Sequence, residues 1–178
     1  YGIVSQGKPT SQVSTAEGAA SHRAVDGNTY NRMSGGSCTQ TNGDDPVAWW
    51  SVDLERTTDV HSVQIWNRGD CCGERLNSFT VKVTDSKHGF DSTSQCGDIH
   101  SVSPAGSKVV KCDGKLGRYV FIVLTRVTKL SLCEVEVMGR SPQSVLSQSI
   151  ARSSPESLRA SPQRPGASQS VPECPRLS

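Results

Sequence analysis

The sequence predicts an all-β sandwich with long loops, and three observations carry that prediction. Apolar residues recur at every second position in several short runs, Gly, Pro, Asn and Asp cluster between the runs, and no stretch sustains a helical period. Trp50, Val52 and Leu54 alternate with Ser51 and Asp53, which predicts a strand with one buried face. Val63 and Ile65 repeat the pattern, and Phe79, Val81 and Val83 repeat it against Thr80, Lys82 and Thr84. Tyr119 to Leu124 is apolar throughout and rich in β-formers, so this strand is expected to be covered on both faces. Cys133, Val135 and Val137 alternate with Glu134 and Glu136, and the alternation alone reads Glu134 as an exposed strand carboxylate. Turn clusters stand at Asp26-Gly27-Asn28 and at Asn42-Gly43-Asp44-Asp45-Pro46.

The charge is divided unevenly along the 178 residues. Residues 140–178 hold five Arg, two Glu, eleven Ser and six of the nine Pro, with no aromatic residue. That composition cannot bury enough apolar surface to offset its ordering entropy, so 140–178 is expected to be a disordered Ser/Pro/Arg-rich tail. Its scattered Val145, Leu146, Ile150 and Leu158 offer at most a weak helical turn. The folded domain is assigned to residues 1–139, which carry 14 basic and 15 acidic side chains against 19 and 17 for the whole chain. A domain without a basic surplus gives no electrostatic reason to bind nucleic acid. The longest apolar run, Tyr119 to Leu124, is too short to cross a bilayer, so no membrane insertion is expected. The chain opens without a basic-then-apolar leader, so any secretion signal is expected to lie outside this sequence.

Seven cysteines point to an oxidising compartment, and hence to a secreted, extracellular protein. No Cys-x-x-Cys pair occurs and His22, His61, His88 and His100 lack ligand spacing, which argues against zinc. Cys174 in the tail makes the count odd, and the other six allow fifteen pairings. Cys71 and Cys72 are adjacent; each pairs elsewhere, or the two join in an eight-membered ring that closes almost no loop. A bridge of that kind would serve local geometry or ligand contact rather than stability.

The stretch Asn67-Arg68-Gly69-Asp70-Cys71-Cys72-Gly73-Glu74-Arg75-Leu76 closely resembles the signature of F-type lectins, the fucolectin family. Further matches keep the family's order: Gly7-Lys8-Pro9-Thr10-Ser11-Gln12, Ala24-Val25-Asp26-Gly27-Asn28, Ser37-Cys38-Thr39, Trp49-Trp50-Ser51-Val52-Asp53-Leu54, Gly117-Arg118-Tyr119-Val120 and Leu132-Cys133-Glu134-Val135-Glu136-Val137. The resemblance covers about residues 5–139. It implies a jelly-roll β-sandwich of the galactose-binding, discoidin-like kind that binds L-fucose between loops at one end. It also implies the bridges Cys38–Cys133, Cys71–Cys72 and Cys96–Cys112. Loop closure agrees, since a bridge over about 95 residues contributes roughly 4–5 kcal/mol and one over about 15 roughly 3. Arg68 and Arg75 would be the sugar ligands, because guanidinium offers fixed donors to neighbouring hydroxyls and a ring oxygen. Asp70 would orient an arginine by a charge-assisted bond, and the flat Cys71–Cys72 disulfide would pack on ring C–H groups.

One departure bears on specificity. The family motif begins with a His two residues after the cysteine of Ser-Cys-Thr, where this chain has Gln40; counting back from Arg68 lands instead on Thr41. Gln40 both donates and accepts, so it can partly replace imidazole, without the flat ring. His22 reads as an exposed loop histidine rather than a surrogate. Met33 falls where the family places an aromatic, and would wall the fucose methyl group. The resemblance also implies a structural calcium held by the Arg23 carbonyl, Asp26, Asn28, Ser37, the Cys133 carbonyl and Glu134, a hard-oxygen set suited to that ion.

Other classes are weighed on the same residues. Arg68-Gly69-Asp70 is also the integrin tripeptide, but both charged residues already have inward roles. A discoidin-like adhesion module that binds protein or lipid, with sugar binding altered or lost, would need exposed apolar loop tips and basic residues; the domain's slight acidic surplus and Ser/Gly-rich loops argue against it. No Gly-x-Ser-x-Gly, His-Glu-x-x-His or Gly-x-Gly-x-x-Gly motif suggests an enzyme. The expectation is a secreted, calcium-stabilised lectin of innate glycan recognition that binds fucosylated glycans. One shallow site at millimolar affinity is worth only about −4 kcal/mol, so avidity through a homo-oligomer is expected, with Cys174 a candidate cross-link.

Overall fold

The computed structural model describes residues 1–88 and 94–142. Within them lie seven strands: β1 (Gly2–Ile3), β2 (Thr10–Gln12), β3 (Trp49–Trp66), β4 (Asn77–Thr84), β5 (His100–Ser101), β6 (Ser107–Leu124) and β7 (Glu134–Arg140). All pairings are antiparallel, in the order β1-β7-β3-β6-β4-β5, with β2 added alongside the first half of β3. The all-β expectation holds.

Two long strands make the sheet curl. β3 and β6 pair over Trp49–Asp53 with Tyr119–Val123, then again over Thr58–Trp66 with Ser107–Gly117. Between the two ladders the register shifts at Asp53/Thr58 and again at Val60/Ser62. At the first shift Glu55 adopts φ 65°, a left-handed conformation rare outside glycine, and its N–H is taken by Asp53 Oδ1 at 2.7 Å. The runs Trp50–Leu54 and Val63–Ile65, separate in the sequence pattern, are therefore two halves of one bent strand. Their inward residues meet in one core with Phe79, Val81, Val83, Val120, Ile122, Leu124, Val135 and Val137. Trp50 is fully buried and donates its indole N–H to the Ser21 carbonyl at 3.0 Å. Val120 to Leu124 is buried on both faces, as its continuous apolar pattern requires.

The last strand runs one residue past the domain boundary at 139. Arg140 lies in β7, bonds Asp59 at 2.9 Å through Nε, and lies 4.4 Å from the Tyr1 ring centre. Arg140 is thus the last residue of the sheet, which the sequence marked only by its charge. The expectations for Val145, Leu146, Ile150, Leu158 and Cys174 fall outside the described residues.

Candidate sugar-binding site

The site is built on the loop that leaves β3, residues 67–76. Asn67 is 1% exposed and closes this loop from beneath. Its side-chain amide donates to the carbonyls of Gly73, Val102 and Ser103 at 2.8, 3.0 and 3.1 Å. The segment 102–106 lies directly against the loop, with Ala105 N–H bonding the Arg68 carbonyl at 3.2 Å. Gly73 has no room for a side chain, since a Cβ there would stand 2.7 Å from Pro104 Cα and 2.8 Å from the Arg68 carbonyl oxygen. Replacing Asn67 by alanine is expected to cost on the order of 3 kcal/mol, because a buried amide loses three hydrogen bonds that tie the loop to the segment 102–106. The midpoint of urea unfolding measures this.

Cys71 and Cys72 form a disulfide across one peptide unit. Cys72 has φ 60° and caps the short 3-10 turn Gly73–Arg75, so the backbone turns sharply where the bridge sits. The bridges Cys38–Cys133 and Cys96–Cys112 are also formed. All three agree with the pairing the resemblance implies.

Arg68 is clamped. Its Nε donates to Asp70 Oδ1 at 2.6 Å, Nη2 to Asp70 Oδ2 at 3.3 Å, and Nη1 to Gln40 Oε1 at 3.0 Å. Asp70 also accepts the N–H groups of Cys71 at 3.1 Å and Met33 at 3.2 Å, so each of its oxygens receives two bonds. The Arg68 hydrogen bonds hold the Asp70 carboxyl below its ordinary value of 3.8, its partial burial opposing them. Because that shift is downward, the hold on Arg68 is complete above the ordinary value and is lost as pH falls through the lower, folded one. Arg75 is half-buried on the 3-10 turn, and its guanidinium makes no hydrogen bond or ion pair with the described residues. Arg126 braces this turn by donating to the Glu74 and Arg75 carbonyls at 2.7 and 3.2 Å. One guanidinium is thus locked in place, and a second is left free beside the same disulfide loop.

Arg68, Asp70, Cys71, Cys72, Met33 and Gln40 come together, and Arg75 follows on the same loop. Gln40 lies behind Arg68. It is 2% exposed, its oxygen takes Arg68 Nη1 and the Ser131 hydroxyl, and its Nε2 donates to Glu17 Oε1 at 3.1 Å. It is a strut behind Arg68. Thr41 is also buried, accepting the Leu130 N–H at 2.9 Å. His22 is exposed on the turn Ser21–Val25. In Arg68-Gly69-Asp70 the two charges are bonded to each other, which argues against the integrin reading. The sequence reading missed the roles of Asn67, Gly73, Ser131 and Glu17. Glycine between cysteine and a charged residue was the one visible signal among them.

A second cluster lies beside the Cys38–Cys133 bridge. Glu134 is 1% exposed rather than solvated, because the Asp26–Asn28 turn covers it: Gly27 N–H donates to its Oε1 at 3.1 Å. Its Oε2 is buried with no hydrogen-bond partner among the described residues. Burial pushes the Glu134 carboxyl up to about 7, and the charges of Asp26 and Glu136 add to this against the opposing Gly27 bond. Asn28 Nδ2 bonds Ser37 Oγ at 3.2 Å, which brings these two oxygen-bearing side chains together. Arg23 stands on the turn that ends at Asp26, and Cys133 ties the Glu134 strand to Ser37 through Cys38. The described residues hold no group of three or more His, Cys, Asp or Glu side chains arranged for a metal. The set expected for calcium has only two carboxylates, the rest being carbonyl, amide and hydroxyl oxygens. An orphaned buried carboxylate oxygen beside a second carboxylate fits a hard cation.

The curled antiparallel sheet and its loop-borne site define a galactose-binding class of domain: residues 23–122 match the NedA-like, galactose-binding domain family. Over 127 residues the chain is 39% identical to fucolectin-4 of Anguilla japonica, covering 70% of this chain and 69% of that protein. The structure superposes on an F-lectin from Morone saxatilis serum with TM-score 0.72 at 34% identity, covering 78% of this chain and 47% of that one. It superposes on the lectin domain of lectinolysin, solved with Lewis B antigen, with TM-score 0.69 at 38% identity, covering 78% and 96%. The chain belongs to the fucolectin, or F-type lectin, family.

Proposed function

We propose that this domain is a lectin for terminal L-fucose on glycans, stabilised by calcium. The observation that carries the reading is the pair of arginines at the disulfide loop: Arg68 fixed by Asp70 and Gln40, and Arg75 whose guanidinium has no partner among the described residues. A donor locked before the ligand arrives loses little entropy on binding, and an unpaired guanidinium needs no ion pair broken. The related lectin domain solved with Lewis B antigen supports fucosylated glycans as the ligand class. Fucose is bound, not turned over, and no residue here is assigned to catalysis. The three disulfides favour a secreted protein of the oxidising extracellular space, acting in innate glycan recognition. Among the described residues no helix is long and apolar enough to cross a membrane. A homo-oligomer would give such a weak single site useful avidity.

Calcium would be held by Asp26, Asn28, Ser37, Glu134 and the Arg23 and Cys133 carbonyls. When bound it supplies fixed positive charge that pins the Asp26–Asn28 turn to β7. A glycan array run with and without chelator tests both parts. Fucosylated glycans are expected to be retained, and an array without fucose preference overturns the sugar. Chelation is expected to lower the melting temperature on the order of 5–10 °C, following the roughly 2.7 kcal/mol lost when an ion at a hundredfold excess over Kd is removed. An unchanged melt in Glu134→Gln and in chelator overturns the ion.

A further inference from the structure

We propose that Glu17 is a specificity-determining residue of the sugar site, supplying the acceptor for a ligand hydroxyl proton; this rests on the fucose reading above. A sugar hydroxyl is donor and acceptor at once. Arg68 and Arg75 only donate, so a hydroxyl that accepts from them is left with a proton to place. Asp70 cannot take it, since Arg68, Cys71 and Met33 already supply two bonds to each of its oxygens. Gln40 cannot either, because its oxygen serves Arg68 and Ser131 and the residue is buried.

Glu17 stands one carboxamide away from Arg68. Its Oε1 accepts from Gln40 Nε2 at 3.1 Å and lies 3.6 Å from Lys129 Nζ, while Oε2 receives no hydrogen bond from the described residues. The side chain is 66% exposed, so that oxygen is open to an incoming ligand. Glu17 itself has φ 55° and is followed by Gly18 at φ 66°, a left-handed pair that turns the chain tightly. The backbone, Gln40 and Lys129 therefore hold one carboxylate oxygen in place and leave the other to the sugar. The ligand class is a deoxyhexose presenting a free hydroxyl between Arg68 and this carboxylate.

Titration calorimetry with methyl α-L-fucoside and its three mono-O-methyl ethers tests the assignment, since each ether keeps an acceptor oxygen and loses one donor. The unmodified protein is expected to bind one ether at least tenfold more weakly than the parent. In Glu17→Ala the parent is expected to weaken five- to tenfold, and the distinction between it and that ether to vanish. Glu17→Gln, which still accepts from Gln40 and keeps the side-chain volume, is expected to lie between. Parent and ethers bound within twofold of the unmodified protein by both variants would overturn the assignment and leave the fucose reading standing. An unmodified protein that ignores methyl fucoside overturns that reading, and this inference with it.

Discussion

Arg75→Ala is expected to abolish fucose binding, raising Kd by at least about a hundredfold, while the thermal transition stays within about 2 °C. Two charge-assisted hydrogen bonds to sugar oxygens, at about 1.5–3 kcal/mol each, amount to this or more. The fold should tolerate the change because the Arg75 guanidinium bonds none of the described residues. Arg68→Ala should lose binding as completely but with a measurable cost in stability. It strips Asp70 of its two guanidinium bonds and Gln40 of one partner. Arg75→Lys keeps the charge without the planar fork, and is expected to recover only part of the affinity. Retention on fucose-agarose, read beside a melting curve, decides the matter; full retention by Arg75→Ala would remove the arginine from the site.

The sheet could be read from the sequence wherever one face of a strand is buried and the other wet. Phe79, Val81 and Val83 alternate because only that face of β4 enters the core, the polar Thr80, Lys82 and Thr84 lying on the other, and Val120 to Leu124 does not alternate because it is buried throughout. The bend in β3 was hidden, since the shift between Asp53 and Thr58 breaks the period of two and gives one strand the look of two. The first half of β6 was hidden for another reason. Only Val110 and Cys112 point inward over Ser107–Asp113, and the exposed Val109 beside them blurs the pattern. At the site, Arg68, Asp70 and the two cysteines were legible because they are neighbours in the chain. The burial of Glu134 and Gln40 was not. Their burial depends on segments distant in sequence: the Asp26–Asn28 turn over one, Glu17 and Ser131 against the other. Local alternation cannot report a lid supplied from a hundred residues away.

The disulfides should separate fold from recognition. Cys38→Ser with Cys133→Ser is expected to leave the domain largely unfolded at 37 °C. The bridge spans 95 residues, and a loop of that length contributes about 4–5 kcal/mol, a large part of a domain's net stability. Both sulfurs are fully buried, so serine also leaves two hydroxyls in the core, beside Ser37 and Glu134. Removing Cys96–Cys112, separated by 16, should cost about 3 kcal/mol. Cys71→Ser with Cys72→Ser is expected to do the opposite: a melting temperature within about 2 °C and fucose affinity down at least about tenfold. The bridge restrains almost nothing in the unfolded chain, because its residues are already neighbours. In the folded chain it supplies an apolar plate beside Arg75 and holds Cys72 at a left-handed φ that an ordinary residue would leave. Urea unfolding and fucose titration of the three double variants measure both quantities. Stability and affinity falling together in the Cys71/Cys72 variant would mean that the bridge is part of the scaffold rather than of the sugar contact.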